Sequence, residues 1–219
     1  MKVTLLANTP DPEKLVAASA RLCYSKAEID DILDNFTEDK VEQFINKLMS
    51  LGHESPLEHV TFTFGIEDIS RACSHQLVRH RIASYSQKSQ RYITEGDFSY
   101  VIPDSIVDAH MLRKYSSLMD KITETYQTLI EEGVPKEDAR MILPNACTTS
   151  IIVTMNVRSL LNFFKHRDCK RAQWEIRALA QEMMRICKEV APRLFAHAGA
   201  SCRSGKCSEG SMSCGEPYN

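Results

Sequence analysis

A short basic stretch, RHRIASYSQKSQRY, runs from Arg79 to Tyr92 and carries side chains suited to an anionic ligand. Arginine presents planar, permanently charged donors that match phosphate oxygens in pairs. The Ser and Gln side chains of the same stretch can add hydrogen bonds to a base edge. No Asp or Glu occurs between Ser70 and Thr94, although the whole chain has a formal net charge of −2. The stretch therefore predicts a phosphate site, unless its first cations only stabilise the C-terminal end of a helix.

Two further segments place arginine where it could contact an anion. Arg158, Asn162 and His166 recur at every fourth position and so share one face of a predicted helix, with Asn156 just before it. Arg140 lies among apolar neighbours in ARMILP, where an unpaired charge would be costly. The helix face could equally be an ordinary solvated surface. Because the chain has neither a G-x-x-x-x-G-K-[ST] loop nor a G-x-G-x-x-G turn, side chains must hold any phosphate.

The composition predicts a soluble, cytoplasmic protein. The chain has 219 residues, of which 43% are hydrophobic and 26% charged, values that are ordinary for packed globular proteins. No apolar run approaches the ~20 residues that cross a bilayer, and the apolar stretch near the N-terminus is too short for a signal peptide. The near-neutral net charge weakens the case for a surface built to bind nucleic acid.

Strands and helices alternate irregularly along the chain. Runs of β-branched and aromatic residues predict strands at residues 1–7, 60–69, 98–103 and 148–156. Helical spacing predicts helices at residues 11–25, 37–52, about 70–81, 104–133 (one helix or two), 135–143, 157–167 and 172–197. Thr37 is expected to cap the second helix and Gly52 to end it. Residues 82–92 have no period and are predicted to be loop. The predicted fold class is α+β, rich in helices with a small mixed or antiparallel sheet.

The chain has eight cysteines, which fall into two groups. Five lie in apolar periodic segments and are expected to be mostly reduced core residues. The others crowd into a Gly/Ser/Cys-rich tail, at Cys202, Cys207 and Cys214. We therefore predict one catalytic domain over residues 1–198 and a tail over residues 199–219. No metal is expected, although the tail cysteines with His197 are weak candidates as soft ligands; the alternative is a flexible tail with reactive thiols.

The basic stretch also carries a resemblance to a known family. RHRIASYSQKSQR fits the signature R-H-R-x7-S of the flavin-dependent thymidylate synthases, with Ser89 as its serine. Other blocks match that family in order: GHESPLEHVTFTF at 52–64, ARMILP at 139–144, and NVRSLLNFFKHR with AQWEI within 156–176. Because the similarity spans roughly residues 45 to 197, the chain resembles this family over most of its length.

The resemblance implies a homotetramer of α+β subunits in which each active site takes residues from several subunits. In that family FAD carries hydride from NADPH to dUMP, and 5,10-methylenetetrahydrofolate supplies the one-carbon unit of the product, dTMP. The family uses no cysteine nucleophile on the uracil ring. This agrees with the absence of Cys from the matching stretches 79–92 and 156–167. Neither a nucleic-acid partner nor a membrane is implied.

The resemblance also implies roles for individual residues. The positions that correspond to dUMP contacts are Gln76, Arg79, Gln87, Ser89, Gln90, Arg91, Arg140 and Arg167. Among them Arg167 resembles the residue set against the pyrimidine ring, where a cation stabilises the negative charge that develops on the uracil oxygens. The positions that correspond to FAD contacts are Ser55, Arg79, His80, Arg81, Asn156, Arg158 and Asn162. His53 resembles a residue near the isoalloxazine and the folate, so the expected catalytic set is Arg167, His53 and Ser89.

The sequence departs from some family members in places. Ser86 and Gln87 stand where some members have Asn and Glu, which leaves the loop more cationic. Arg171 stands where some members have a His that contacts the adenine of FAD, so that contact is in doubt. The alternative function is a nucleic-acid-binding module that uses the basic segment 71–91, and it would bind with a steep salt dependence. A zinc enzyme built on His53, His59 and tail ligands is a third reading, without a diagnostic spacing.

Overall fold

The computed structural model of the chain describes residues 1–34, 36–91 and 98–218. Within these ranges it has an α+β fold, as the sequence predicts. None of the helices found there is long and apolar enough to cross a membrane.

The strands form a small antiparallel sheet in the order β1-β2-β4-β3. Their bounds are β1 (Lys2–Asn8), β2 (Thr61–Ser70), β3 (Ser84–Gln87) and β4 (Thr148–Asn156). In β4 every second side chain from Thr149 to Met155 is buried, because successive strand residues point to opposite faces. The predicted strands at the positions of β1, β2 and β4 are therefore confirmed.

The helices are α1 (Pro12–Leu22), α2 (Ile29–Asp34), α3 (Glu38–Leu51), α4 (Arg71–Leu77), α5 (Asp104–Asp108), α6 (Leu112–Glu131), α7 (Lys136–Ala139), α8 (Val157–Arg167) and α9 (Trp174–Val190). Short 3₁₀ turns occupy Ser55–His59, Arg140–Ile142, Ser201–Arg203 and Gly210–Met212. Gly52 ends α3 with φ of 68°, a left-handed conformation that glycine adopts without a steric penalty. Thr37 lies at the N-cap of α3 as predicted, but its side chain makes no capping hydrogen bond.

The sequence-based prediction is wrong at several boundaries. Residues 84–87 form β3, although the whole of 82–92 was expected to be loop. The helix expected at about 70–81 ends at Leu77. The last helix ends at Val190 rather than 197, because Pro192 lacks an N–H and restricts the residue before it. The strand expected at 98–103 is reduced to a single bridge between Tyr100 and Cys147.

The described residues gather into two compact units. The first unit consists of described residues within 1–2, 66–79 and 85–152, and the second of those within 3–65, 80–84 and 153–219. The first unit has a small core of buried and partly buried side chains: Phe98, Met119, Cys147, Tyr100, Tyr115, Ile122 and Leu143. The single catalytic domain over residues 1–198 stays a prediction.

The second unit has an aromatic core. Phe62 and Phe164 each meet Phe195 edge to face, with ring centroids 5.6 and 6.0 Å apart. Such pairs are favourable because the positive edge of one ring faces the negative face of another. Each fully buried Phe contributes about 1.5–3 kcal/mol of hydrophobic stabilisation. This core fixes α8 and the segment around Phe195 to each other.

Candidate active site

The first unit carries most of the residues that correspond to nucleotide contacts. Tyr85 in β3 donates a hydrogen bond to the carbonyl of Leu77, the last residue of α4, at 3.0 Å. Burial raises the pKa of the Tyr85 phenol to about 12, so the hydroxyl stays protonated and keeps donating. Gln87 donates from Nε2 to Ser74 Oγ at 2.8 Å. Two side chains of β3 therefore bind β3 to α4, the helix that carries Gln76.

The residues that follow β3 form a turn with its own hydrogen bonds. Ser89 Oγ accepts from the backbone amide of Arg91 at 3.2 Å. The Gln90 side chain donates to the sulfur of the buried Cys147 at 3.6 Å. Gln90 is half-buried and Arg91 is exposed, so the turn directs the guanidinium outward. A serine that closes a local turn in this way has a structural role in addition to any contact with a ligand.

Glu137 brings together two arginines from separate segments. Arg91 donates from Nε and Nη2 to the same carboxylate oxygen, Oε2 of Glu137, at 3.0 and 2.9 Å. Arg140 donates from Nε to the backbone carbonyl of Glu137 at 3.2 Å. Arg91 and Arg140 therefore both bind Glu137, one at its side chain and the other at its backbone, and their joint contact with one nucleotide stays a prediction. Arg79, which follows α4, is exposed.

In the second unit, Arg167 is held by His80. Arg167 Nε donates to His80 Nε2 at 3.3 Å, and the His80 ring meets the buried Phe163 edge to face, with centroids 4.9 Å apart. Burial, the nearby Arg167 cation and His166 together lower the pKa of His80 to about 4. His80 is therefore neutral at physiological pH, with its proton on Nδ1 when Nε2 accepts.

Helix α8 begins and continues with residues that correspond to flavin contacts. Asn156 is its N-cap, and the side-chain oxygen accepts from the Ser159 amide at 2.8 Å. Asn162 is one turn beyond Arg158, and both are exposed. Arg158 pairs with Glu54 at 3.0 Å and with Glu58. Because these groups are half-exposed, the ion pairs contribute little stability and can be exchanged for another anion.

The remaining predicted residues lie near the 3₁₀ turn Ser55–His59. Ser55 begins that turn and is exposed. His53, just before it, stacks on Tyr24 with centroids 6.4 Å apart, and the Tyr24 hydroxyl lies 3.4 Å from His53 Nδ1. Arg81 is exposed in the segment between α4 and β3. Arg171, whose contact with FAD was in doubt, donates to Glu209 at 3.0 Å.

The predicted residues thus divide between the units. The residues that correspond to dUMP contacts, called nucleotide-side residues below, all belong to the first unit except Arg167. Except for Arg79, every flavin-side residue belongs to the second, as do Arg167 and His53. The roles of these residues towards dUMP and FAD stay predictions.

The acidic residues that pair with arginines were not predicted from the sequence. Glu137 precedes Arg140 by three residues, a spacing that would favour an ion pair between those two, whereas its carboxylate pairs with Arg91, 46 residues away in the chain. Glu54 and Glu58 are far from Arg158 in the chain, and no local pattern links them. Asp168 is the lone acid in the basic run KHRDCKR, which also could have drawn attention.

No disulfide joins any of the eight cysteines, all of which lie in the described part of the chain. Cys73 is buried in α4, in agreement with the expected packing role. Cys187 is buried in α9, and burial raises the pKa of its thiol. Within the described ranges no group of His, Cys, Asp or Glu is arranged to hold a metal ion, so the tail cysteines do not form such a set there.

Comparisons with known proteins agree with the resemblance. A family model described as "Thymidylate synthase complementing protein" matches residues 4–193. A protein of Geobacter sulfurreducens named "Flavin-dependent thymidylate synthase" is 56% identical over 219 residues, covering 99% of this chain and 94% of the relative. Proteins of the same name from Clostridium tetani and Nitratidesulfovibrio vulgaris are 51% and 45% identical, covering 99% and 98% of this chain and 94% of each relative.

The matched residues include the R-H-R-x7-S stretch, both arginine-bearing segments beyond it and the whole of α8 and α9. A family match over most of a chain, joined to relatives of this identity, leaves no doubt about descent. The chain belongs to the family of enzymes called flavin-dependent thymidylate synthases.

Proposed function

We propose that this protein converts dUMP to dTMP by reductive methylation, with FAD as its cofactor. The one-carbon unit comes from 5,10-methylenetetrahydrofolate and the reducing equivalents from NADPH. The observation that carries the proposal is the gathering of Arg91 and Arg140 at Glu137, inside a chain that belongs to this family. Two arginines from separate segments suit a 5′-monophosphate, which carries nearly two negative charges.

The nucleotide-side residues have distinct roles in this proposal. Arg79, Arg91 and Arg140 bind the phosphate. Glutamine amides offer both donors and acceptors to the uracil edge, and they come from Gln76, Gln87 and Gln90. Ser89 contacts the nucleotide while its oxygen also closes the turn that carries Arg91. A phosphate that binds Arg91 has to compete with the Glu137 carboxylate.

The donor set of the second unit fits FAD. Exposed guanidinium groups at Arg81 and Arg158 suit its diphosphate, and the amide of Asn162 is exposed on the same helix face as Arg158. Ser55, Asn156, His80 and Arg79 are the remaining residues assigned to FAD. When bound, FAD supplies the reversible two-electron chemistry that links NADPH to the pyrimidine. His53 lies near the flavin and the folate in this assignment.

Arg167 activates the uracil ring in this proposal. Its guanidinium would stabilise the negative charge on the uracil oxygens as hydride reaches C6. His80 supports the role because a neutral acceptor orients Arg167 without cancelling its charge. The proposed reaction uses no cysteine nucleophile, and what supports this is the resemblance together with the absence of Cys from residues 79–92 and 156–167.

The active protein is a homotetramer in this proposal, and each site takes residues from several subunits. The resemblance supports this arrangement, and the mass of the purified protein in solution tests it.

A spectrum and one substitution test the function. The purified protein should absorb as a flavoprotein, lose that absorbance when NADPH is added without oxygen, and form dTMP from dUMP and 5,10-methylenetetrahydrofolate. Arg167→Ala should lower the rate by ~10²–10³, the usual effect of removing one preorganised donor, while FAD stays bound. Arg185→Ala is the matched control, since Arg185 pairs with Glu182 and Glu189 on the surface of α9. Full turnover by Arg167→Ala contradicts the role of Arg167, and a protein that binds no flavin contradicts the function.

Nucleic-acid binding by the segment 71–91 is less well supported. Membership of an enzyme family weighs against it, and Glu137 offsets the charge of Arg91. That alternative requires oligonucleotide affinity to fall steeply as salt rises.

A further inference from the structure

The C-terminal segment, residues 199–218, lies beyond the residues that the family model matches. It nevertheless reaches the C-terminal end of α8. Arg203 donates from Nε to Oδ2 of Asp168 and from Nη2 to Oδ1, the latter at 2.9 Å. Such a bidentate ion pair fixes the orientation of the guanidinium relative to the carboxylate. Asp168 directly follows Arg167 and is the C-cap of α8.

The Asp168 carboxylate is fully buried and satisfied from several sides. The amide of Ala200 donates to Oδ2 at 2.9 Å and Gln181 donates to Oδ1 at 3.0 Å. Burial alone would raise the pKa of this carboxyl, but hydrogen bonds from Arg203, Ala200 and Gln181 outweigh it and lower the pKa below its usual value. A buried charge bonded in this way is held in one position, because any departure leaves it unpaired.

Two more residues complete the contact. The Tyr218 hydroxyl donates to the backbone carbonyl of Asp168 at 2.7 Å, and the Arg203 guanidinium lies 3.8 Å from the centre of the Tyr218 ring. A side chain at Gly199 would come within 2.6 Å of Arg203 and 2.8 Å of the Asp168 carboxylate. The absence of a side chain at residue 199 is what allows the ion pair to form beside it.

We propose that the C-terminal segment holds Arg167 in its working position by fixing the peptide of Asp168, so that Arg203 and Tyr218 are positioning residues of the reaction. Arg167 is the last residue of α8, where helices tend to fray. Side-chain and backbone contacts to the next residue oppose that fraying. The inference rests on the proposed role of Arg167 in uracil activation. It assigns a role to a segment that lies beyond the residues matched by the family model.

The test compares Arg203→Gln and Tyr218→Phe with Lys206→Gln, an exposed cation of the same segment, as the control. With the full-length, flavin-loaded enzyme we expect kcat to fall ~10–100-fold in Arg203→Gln, the size of effect that a misplacement of about 1 Å produces, with a change of less than about twofold in the KM for dUMP. Tyr218→Phe should give a smaller fall, and Lys206→Gln none. Hydrogen exchange at the amides of residues 165–168, measured by mass spectrometry, should accelerate in the first two variants only.

If Arg203 and Tyr218 only stabilise the fold, their substitutions will lower the melting temperature and leave kcat per folded, flavin-loaded enzyme unchanged. That result would overturn the proposal. If Arg203→Gln fails to fold, Tyr218→Phe decides, because it keeps the ring on Arg203 and removes only the hydroxyl. Wild-type exchange rates at 165–168 in Tyr218→Phe together with a wild-type kcat would also overturn it. Failure of the proposed function is distinct: it would appear as an inactive wild-type enzyme or a fully active Arg167→Ala.

Discussion

The Glu137 carboxylate lies on Arg91, so a phosphate that binds this arginine meets a negative charge already in place. Both Nε and Nη2 of Arg91 donate to Glu137 Oε2, at 3.0 and 2.9 Å. The pair is exposed, with 52% and 53% of the two side chains accessible to solvent. We predict that Glu137→Gln binds dUMP more tightly than the wild-type protein, because the amide remains a hydrogen-bond acceptor but no longer competes as an anion.

The size of the effect follows from the exposure of the pair. Ion pairs this exposed are worth about 0.2–1 kcal/mol, and releasing that energy corresponds to a roughly 1.4- to 5-fold fall in the dissociation constant of dUMP. Exposed charges are screened by salt, so the gain should shrink when the ionic strength is raised from low values to about 0.5 M. Arg140 should be little affected, since it donates to the backbone carbonyl of Glu137, which the substitution keeps.

Calorimetric titration of dUMP into the two proteins at low and high salt measures this difference. Glu124→Gln is the matched control, because it removes the same charge from the exposed side of α6. It should change the affinity by less than the error of the measurement. Weaker binding by Glu137→Gln, by more than about twofold, would refute the reasoning. Such a result would mean that Glu137 orients Arg91 for the nucleotide rather than competing with it.

Further predictions concern stability. Phe163→Ala should lower the free energy of unfolding by about 3–5 kcal/mol in urea titrations, since Phe163 is fully buried and packs on His80; a loss below about 1 kcal/mol would contradict this. Folding lowers the pKa of His80 from 6.5 to about 4. Between these pH values the unfolded chain binds a proton at His80 and the folded chain does not. The free energy of unfolding is therefore unaffected by the protonation of His80 above pH 6.5 and decreases as the pH falls towards 4. His80→Gln should therefore flatten the dependence of stability on pH between 4 and 6.5, and an unchanged slope would count against it. Gly52→Ala should lower the free energy of unfolding by about 1–2 kcal/mol through the φ of 68° alone, because Gly52 has open space where the added carbon would lie; an unchanged urea midpoint would show that this strain is absent.

Local signals predicted most of the regular elements. Strands β1, β2 and β4 have the alternation or β-branched content that burial of one face requires, and α8 has helical spacing throughout. β3 was missed because its sequence, SYSQ, has no apolar alternation. The strand is bound instead by its neighbours, for example by the hydroxyl of Tyr85 on Leu77, and such partners are invisible in a local window.

The sequence names candidate site residues but not the groups that they contact. The arginines could be identified because a resemblance carries residue types and their spacing. Their partners could not, since Glu54 and Arg158 are 104 residues apart and Asp168 and Arg203 are 35 apart. The protonation state of His80 likewise depends on burial and on Arg167, which only the folded chain brings to it.

The helix cap at Asn156 limits what this residue can offer to a ligand. Its side-chain oxygen accepts from the Ser159 amide, which uses one of the two lone pairs of that oxygen, while the N–H groups of the carboxamide are not needed for the cap. Asn156 therefore offers a ligand two donors and one remaining lone pair. An aspartate here would satisfy the helix equally well and yet turn a repelling charge towards any anionic ligand. Capping of α8 is therefore compatible with either Asn or Asp at residue 156, and an anionic ligand favours Asn because it is neutral.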